Sequence, residues 1–130
     1  MGIQQLFHEI KNHSDYAKAG MILCHNGIVR STSRDGREVT GLTVQVDHAR
    51  LQNIIEERKQ DPGIIEILVE IQEDRKLSVG DDVMVLVVAG DIRENVIHTL
   101  QSTLDAIKST ATHKTEFFKL PAASSRESSP

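Results

Sequence analysis

Apolar residues recur along the chain at two periods, one helical and one extended, and these periods divide it into alternating elements. Spacings of three and four predict three helices, from Gly2 to about Asn12, from Asp47 to about Gln60 and from Ile92 to Thr110. Asp47 is a favourable N-cap for the second helix, and the Pro-Gly step after Asp61 predicts its end. We therefore expect helices at the start, middle and end of the chain.

Runs of β-branched and alternating apolar residues predict the strands between these helices. The first two strands, Met21–Val29 and Val39–Val46, are expected to pair, with a bulge or a close backbone approach at Gly27. After a strand over Ile64–Ile71, the almost unbroken apolar run Val83–Val88 predicts a central strand that is buried on both faces. This order of elements predicts an α+β fold with a largely antiparallel sheet.

The length of 130 residues allows one domain. We expect this domain to span residues 1–120 and to end with a short strand over Glu116–Leu120. Residues 121–130 are rich in Ser, Ala and Pro, which predicts a disordered tail. Only 38% of the residues are apolar and none is Trp, so the lean core favours burial of further surface in an oligomer.

Charge, cysteine content and hydropathy argue against several classes of protein. A formal net charge of −4 is unlike that of a general nucleic-acid binder, which usually has a basic excess. No apolar stretch approaches the roughly 20 residues of a membrane span, and we expect no signal peptide. The single cysteine, Cys24, cannot form an internal disulfide, which suits a reducing, cytoplasmic location. Its apolar neighbours favour a buried small side chain over the alternative, a reactive thiol.

The candidate chemistry of the chain is cationic. The six histidines show no metal-ligand spacing, so we expect no metal site, and there is no Walker or Rossmann phosphate loop. Basic residues instead gather at the predicted ends of strands and helices, where small-ligand sites are common. They are Arg30, Arg34, Arg37, Arg93, Lys108, Lys114 and Lys119. Arginine offers a bidentate fork for phosphate and a partly buried lysine can exchange a proton, whereas the alternative is a solvated charged face.

Several segments occur in an order and spacing shared with one known family. Residues 21–30 form an apolar strand that ends in Gly-x-Val-Arg, and residues 77–83 form a Gly-Asp turn into a buried strand. Arg93 stands near the start of the last helix, Asp-Ala-Ile-Lys lies near its end at residues 105–108, and Lys-Thr-Glu follows at residues 114–116. The chain thereby resembles the large, catalytic subunit of molybdopterin synthase.

This resemblance implies a hammerhead-like α+β fold and a sulfur transferase of molybdenum-cofactor biosynthesis. In such enzymes a small ubiquitin-like subunit carries a thiocarboxylate at its C-terminus. Sulfur passes twice from this group to cyclic pyranopterin monophosphate, which becomes molybdopterin. The resemblance further implies a homodimer of the large subunit within a heterotetramer, and it implies no cofactor and no metal.

The resemblance also implies roles for individual residues. Lys108 would be the main catalytic group, polarising the thiocarboxylate carbonyl or exchanging protons, and Lys114 would assist it. Arg30 and Arg93 would clamp the substrate phosphate and neighbouring pterin oxygens. His113 is a further substrate-binding candidate beside the second lysine.

Departures from the family pattern leave two other hypotheses open. Ile92 stands where the family has the histidine of a His-Arg pair, and the spacing from Lys108 to Lys114 is one residue shorter than in the family. The second hypothesis is therefore a family-like binding module that holds the small subunit or a pterin without catalysis. The third is an unrelated dimeric structural domain, in which Lys108 and Arg30 would point to different surfaces.

Overall fold

Helices and strands follow one another in the predicted order along residues 2–120, the part of the chain that the computed structural model describes. They are α1 (Ile3–Lys11), β1 (Met21–Ile28), β2 (Val39–Val46), α2 (His48–Arg58), β3 (Ile64–Ile71), β4 (Leu77–Ser78), β5 (Asp82–Gly90), α3 (Arg93–Ala106) and β6 (Thr112–Phe118). A 3₁₀ turn over Tyr16–Lys18 precedes β1, and a π-helical segment over Ile107–Ala111 joins α3 to β6. The predicted disordered tail, residues 121–130, lies outside the described residues.

The strands form two three-stranded antiparallel sheets. The first sheet has the order β1-β5-β3, and the second has the order β4-β2-β6. Residues 84–89 of β5 are all buried, as the unbroken apolar run predicted for a central strand. The expected α+β fold with antiparallel strands is therefore confirmed.

The predicted pairing of β1 with β2 is wrong. β1 instead pairs with β5, with Met21 opposite Gly90, and β2 pairs with β4 and β6. The physical reason is that β5, which is buried on both faces, requires a hydrogen-bonded neighbour along each edge. β1 and β3 occupy these two edges, so β2 becomes the centre of the second sheet. The predicted irregularity at Gly27 is present, since the register of β1 shifts between Gly27 and Ile28.

The predicted last strand, Glu116–Leu120, is placed too late in the chain. β6 begins at Thr112 and ends at Phe118, and its partner throughout is β2. His113, Lys114 and Thr115 are all exposed, so no alternation of apolar and polar residues marks the beginning of this strand. The correction matters because it places Lys114 on a strand rather than in a loop.

Helices cover both faces of the first sheet. On one face, Leu6 and Ile10 of α1 pack against Val85 and Val87 of β5. Cys24 is only partly buried at the edge of this cluster, and burial raises the pKa of its thiol, which argues against the reactive thiol. No helix in residues 2–120 has the length and apolar character needed to cross a membrane.

The opposite face of the first sheet carries α2 and α3. Ile54, Val96 and Ile107 of this layer are buried against Leu86 and Val88 of β5. Ile71 at the end of β3 packs against this cluster and also against the core of the second sheet. The two sheets therefore meet near the ends of their strands, and this junction positions the site described next.

Candidate functional site

Two adjoining cavities lie where β1 ends and approaches β2 and β6 of the second sheet. The first cavity has a volume of about 320 Å³ and the second about 440 Å³. The first is lined by His25, Gly27, Ile28, Arg34, Leu42, Val44, Ile71, Val83, Met84, Lys108, Thr112 and Lys114. The second is lined by Ile28, Arg30, Thr32, Ser33, Arg34, Asp35, Arg37, Leu42, Lys114 and Glu116.

The first cavity combines an apolar wall with positive charge. Leu42, Val44 and Met84 are buried side chains that supply apolar surface. Lys108 and Lys114 supply ammonium groups, and no carboxylate is among the lining residues. Such a lining suits a ligand with a flat apolar body and a negative charge.

The π-helical segment presents Lys108 to the first cavity. The buried side chain of Ile107 anchors the segment, and Lys108 is exposed one residue later. The Thr110 hydroxyl donates to the Ala106 carbonyl at 2.7 Å, and Arg50 Nε donates to that hydroxyl at 3.2 Å. π-Helical turns occur frequently at functional sites. Here the turn brings Lys108 to the same cavity as Lys114 despite the shorter spacing.

Strand alternation places Lys114 and His113 on opposite faces of β6. Lys114 lies opposite Val44 of β2, lines both cavities and forms an ion pair with Glu116 at 3.8 Å. His113 lies opposite Gln45 and lines neither cavity. The expected proximity of His113 to the lysine site is therefore corrected, because adjacent residues of a strand point to opposite sides.

The loop after β1 lines the second cavity with arginines. Arg30 Nε donates to the Thr32 carbonyl at 2.8 Å. Arg37 forms an ion pair with Asp35 at 3.0 Å and stacks over the Phe118 ring at 3.7 Å. The Ser33 hydroxyl, together with the Arg37 backbone N–H, lowers the pKa of the Asp35 carboxyl. These contacts fix the loop that carries Arg30 toward Lys114.

Arg34 lines both cavities and was noted in the sequence only as one of several cations. Within the described residues it has neither a hydrogen bond nor an ion pair from its side chain. Its guanidinium is therefore free to bind an anion without first breaking an internal contact. Its place four residues after Arg30 in the same polar loop was the available signal.

Arg93 lies away from the two cavities. It is the first residue of α3, its side chain is 75% exposed, and its nearest acid is Glu94 at 4.0 Å. Lys108 lies 15 positions later, so about 22 Å of helix separates the two residues. Within a single chain, Arg93 therefore does not share a pocket with Lys108, contrary to the expectation. The length of the predicted helix already implied this separation.

His25 is a lining residue that the sequence analysis did not assign. Burial, and then the positive charge of Lys108, lowers the pKa of its imidazole. Its Nε2 atom is buried and has no hydrogen-bond partner among residues 2–120. The alternation that places His25 on the same strand face as Gly27 was the available signal. Over the same residues, no group of three or more His, Cys, Asp or Glu side chains is placed to hold a metal.

Comparison with known sequences identifies one family. The family model described as MoaE protein matches residues 3–110. No curated protein matches the chain in the sequence comparison. The match therefore covers all elements from α1 through the segment that carries Lys108.

Solved structures with similar folds include three bacterial proteins. A molybdopterin synthase from Staphylococcus aureus is 17% identical with a TM-score of 0.74, over 93% of this chain and 88% of that chain. Molybdopterin cofactor biosynthesis protein E from Burkholderia multivorans is 18% identical with a TM-score of 0.71, over 97% and 90%. A complex of subunits 1 and 2 of molybdopterin-converting factor from Helicobacter pylori matches at 17% identity and 0.68, over 91% and 80%. At these identities, the likeness shows a shared fold.

Proposed function

The chain belongs to the MoaE protein family, and we propose that it is the sulfur-transferring large subunit of a molybdopterin synthase. Family membership and the shared fold support a role in molybdenum-cofactor biosynthesis. The proposed substrate is cyclic pyranopterin monophosphate, and the proposed sulfur donor is the C-terminal thiocarboxylate of a small ubiquitin-like subunit. The product is molybdopterin.

The observation that carries this proposal is the set of cations on the two adjoining cavities. Lys108 lines the first cavity, Arg30 lines the second, and Arg34 and Lys114 line both. The arginines and Lys114 suit the phosphate of the substrate, while the apolar wall of the first cavity suits its ring system. In this placement Lys108 lies beside the ring system, close to the carbon atoms that receive sulfur.

The reaction requires two changes at the donor tail for each sulfur transferred. The thiocarboxylate sulfur first forms a C–S bond at a substrate carbon while a C–O bond at the same carbon breaks and its oxygen leaves with the electron pair, so that the tail is held as a thioester. Water then adds to the thioester carbonyl, the acyl C–S bond breaks, and the tail leaves as a carboxylate. The Lys108 ammonium stabilises the oxyanion formed by water addition and can return a proton to the departing sulfur, with Lys114 adding positive charge.

The proposed assembly contains a second kind of subunit. The Helicobacter pylori structure is a complex of two subunits of molybdopterin-converting factor. By analogy, we place a small subunit at the mouth shared by both cavities, where Ile28 is 55% exposed. We further propose a homodimer of this chain within a heterotetramer, located in the cytoplasm.

Reconstitution of the two-subunit reaction tests the proposal. The purified chain is mixed with thiocarboxylated small subunit and cyclic pyranopterin monophosphate, and molybdopterin is measured over time. We expect Lys108→Ala to reduce turnover at least about 100-fold, because a positioned proton-transfer group contributes that much or more. The matched control is Lys18→Ala, since Lys18 is 77% exposed and pairs only with Asp15 at its surface. Full turnover by Lys108→Ala would contradict the proposed role.

The binding-module hypothesis is favoured by one observation, the position of Arg93. Of the two arginines predicted to bind the substrate phosphate, Arg93 does not line either cavity of a single chain. A chain that only binds would capture the small subunit and give no product, even with thiocarboxylated subunit in excess. Formation of molybdopterin in a single-turnover experiment would contradict the binding-module hypothesis and support the enzyme.

A further inference from the structure

The imidazole of His25 carries a polar atom that the protein itself leaves without a partner. His25 lies on β1 and lines the first cavity together with Gly27 and Lys108. Its Nε2 atom is buried and makes no hydrogen bond within residues 2–120. A Cβ atom at position 27 would lie 3.3 Å from this nitrogen, so Gly27 keeps space beside the ring.

A buried polar atom without a partner costs free energy, and native proteins retain few of them. Other residues that line the first cavity add three positive charges, from Arg34, Lys108 and Lys114, and no negative charge. Burial and the nearby Lys108 both lower the pKa of His25, so its imidazole is neutral at neutral pH. A neutral imidazole has one N–H donor and one acceptor nitrogen.

We propose that His25 is a substrate-contacting residue, whose Nε2 atom forms a hydrogen bond with a polar edge of the heterocycle held beside Lys108 and Gly27. The inference rests on the proposed function and adds a determinant of specificity to it. The cations bind the phosphate of the substrate by charge. His25 provides a directional contact without adding a fourth positive charge, so it distinguishes a heterocyclic phosphate from a bare phosphate.

The test compares two probes on the full chain, a pterin that carries a phosphate monoester and inorganic phosphate. Binding to the wild-type chain, His25→Leu and His25→Gln is measured by isothermal titration calorimetry. We expect His25→Leu to raise the Kd for the pterin phosphate about tenfold and to leave the Kd for inorganic phosphate unchanged. His25→Gln places an amide near the position of Nε2 and should recover most of the lost affinity. We also expect the unliganded His25→Leu chain to melt no lower than the wild type, since it loses an unpaired buried nitrogen.

The outcomes separate this inference from the proposed function. Equal affinity of the wild type and His25→Leu for the pterin phosphate overturns the role of His25 and leaves the proposed function standing. Failure of the wild type to bind the pterin phosphate at all overturns the proposed function, and the role of His25 falls with it. If His25→Leu does not fold, His25→Asn replaces it, because the shorter amide does not reach the Nε2 position. Wild-type affinity in His25→Asn overturns the inference in the same way.

Discussion

Two buried threonines one turn apart on α3 differ in a single hydrogen bond. Thr99 donates from its hydroxyl to Asp61 at 2.7 Å, whereas the buried Thr103 hydroxyl has no partner among the described residues. We expect Thr99→Val to lower the free energy of unfolding by about 1–2 kcal/mol, because the Asp61 carboxylate loses the hydroxyl donor and keeps only its ion pair with Arg58 at 3.7 Å. Thr103→Val should raise the free energy of unfolding by about 1 kcal/mol, because it removes an unsatisfied hydroxyl at nearly constant volume.

Urea denaturation of the two variants measures this difference directly. Each variant serves as the control for the other, since both replace a hydroxyl by a methyl group on the same buried helix face. Equal destabilisation by both variants would contradict the assignment of the hydrogen bonds.

The lowered pKa of His25 predicts a dependence of stability on pH. The unfolded chain takes up a proton on this histidine near its ordinary value of 6.5, before the folded chain does. The unfolded state therefore binds more protons just below this value, and stability is lost as the pH falls through that region. His25→Gln should flatten this dependence, which denaturation at several pH values will show.

The cause of this lowered pKa can be tested separately. Lys108→Met removes a positive charge and should move the pKa of His25 upward, toward its ordinary value, in an NMR titration of the imidazole. Lys18→Met is the control, because its ammonium is exposed on another part of the chain. No movement in Lys108→Met would show that the two side chains do not interact.

The family resemblance named Lys108, Lys114 and Arg30, which line the cavities, and nothing in the sequence named His25. Lys108 and Lys114 are joined by the short π-helical segment and the first residues of β6, so their common cavity follows from local geometry. His25 reaches the same cavity only because β1 lies beside these elements in three dimensions. Its neighbours in the sequence gave no sign of Lys108.

At the level of elements, two glycines with positive φ angles differ in what surrounds them. Gly36 has a φ of 88° and open space beside it, while Gly63 has a φ of 74° and faces the carboxylate of Asp91. Asp91 accepts hydrogen bonds from the Ile92 backbone N–H and the Asn95 side chain at the beginning of α3. Gly63, which follows α2, therefore lies against the residue that holds the start of α3.

These surroundings predict different costs for the same substitution. Gly36→Ala should lower the free energy of unfolding by about 1 kcal/mol, from backbone strain alone. Gly63→Ala should cost at least about 2 kcal/mol, because the added methyl group also collides with Asp91 and disturbs the start of α3. Chemical denaturation of both variants measures these two losses of stability. Equal losses for Gly36→Ala and Gly63→Ala would contradict the role given to Asp91.

Most element boundaries could be predicted because they depend on local signals. Asp47 caps α2 by accepting a hydrogen bond from the Arg50 backbone N–H, and α2 ends at Arg58, shortly before the Pro-Gly step that predicted its end. The beginning of β6 could not be predicted, because its early residues are exposed and lack alternation. The order of strands in the sheets could not be predicted from local signals either. β1 and β2 could pair with each other, and they lie in different sheets only because β5 needs a hydrogen-bonded neighbour along each edge.

At the level of the whole molecule, the cavities exist because β1 and β2 belong to different sheets. If these strands paired as neighbours, their ends would be closed by the connecting loop. Instead β1 ends beside β5, β2 continues beside β6, and the loop after β1 covers the junction with arginines. A site built from three distant segments of chain therefore depends on topology, which composition and periodicity do not specify.

This arrangement gives Ile28 a position that no other exposed apolar residue of the described chain shares. It lines both cavities and is 55% exposed, whereas Ile97 on α3 is 45% exposed and lines neither. A tail that enters the first cavity from the shared mouth must pass Ile28. We expect Ile28→Asp to weaken binding of the small subunit at least about tenfold, because it places a carboxylate in the path of an anionic tail and removes apolar contact area.

Isothermal titration with the small subunit measures this change, and Ile97→Asp is the matched control for added charge at an exposed isoleucine. Small-subunit variants that lack the C-terminal tail extend the test. If the tail passes Ile28, Ile28→Asp should weaken binding of the tailless subunit less than binding of the tailed one. The reason is that the new carboxylate then has no anionic tail to repel. Equal losses for the tailed and tailless subunits would place the contact on the body of the small subunit, and would contradict entry of the tail at this mouth.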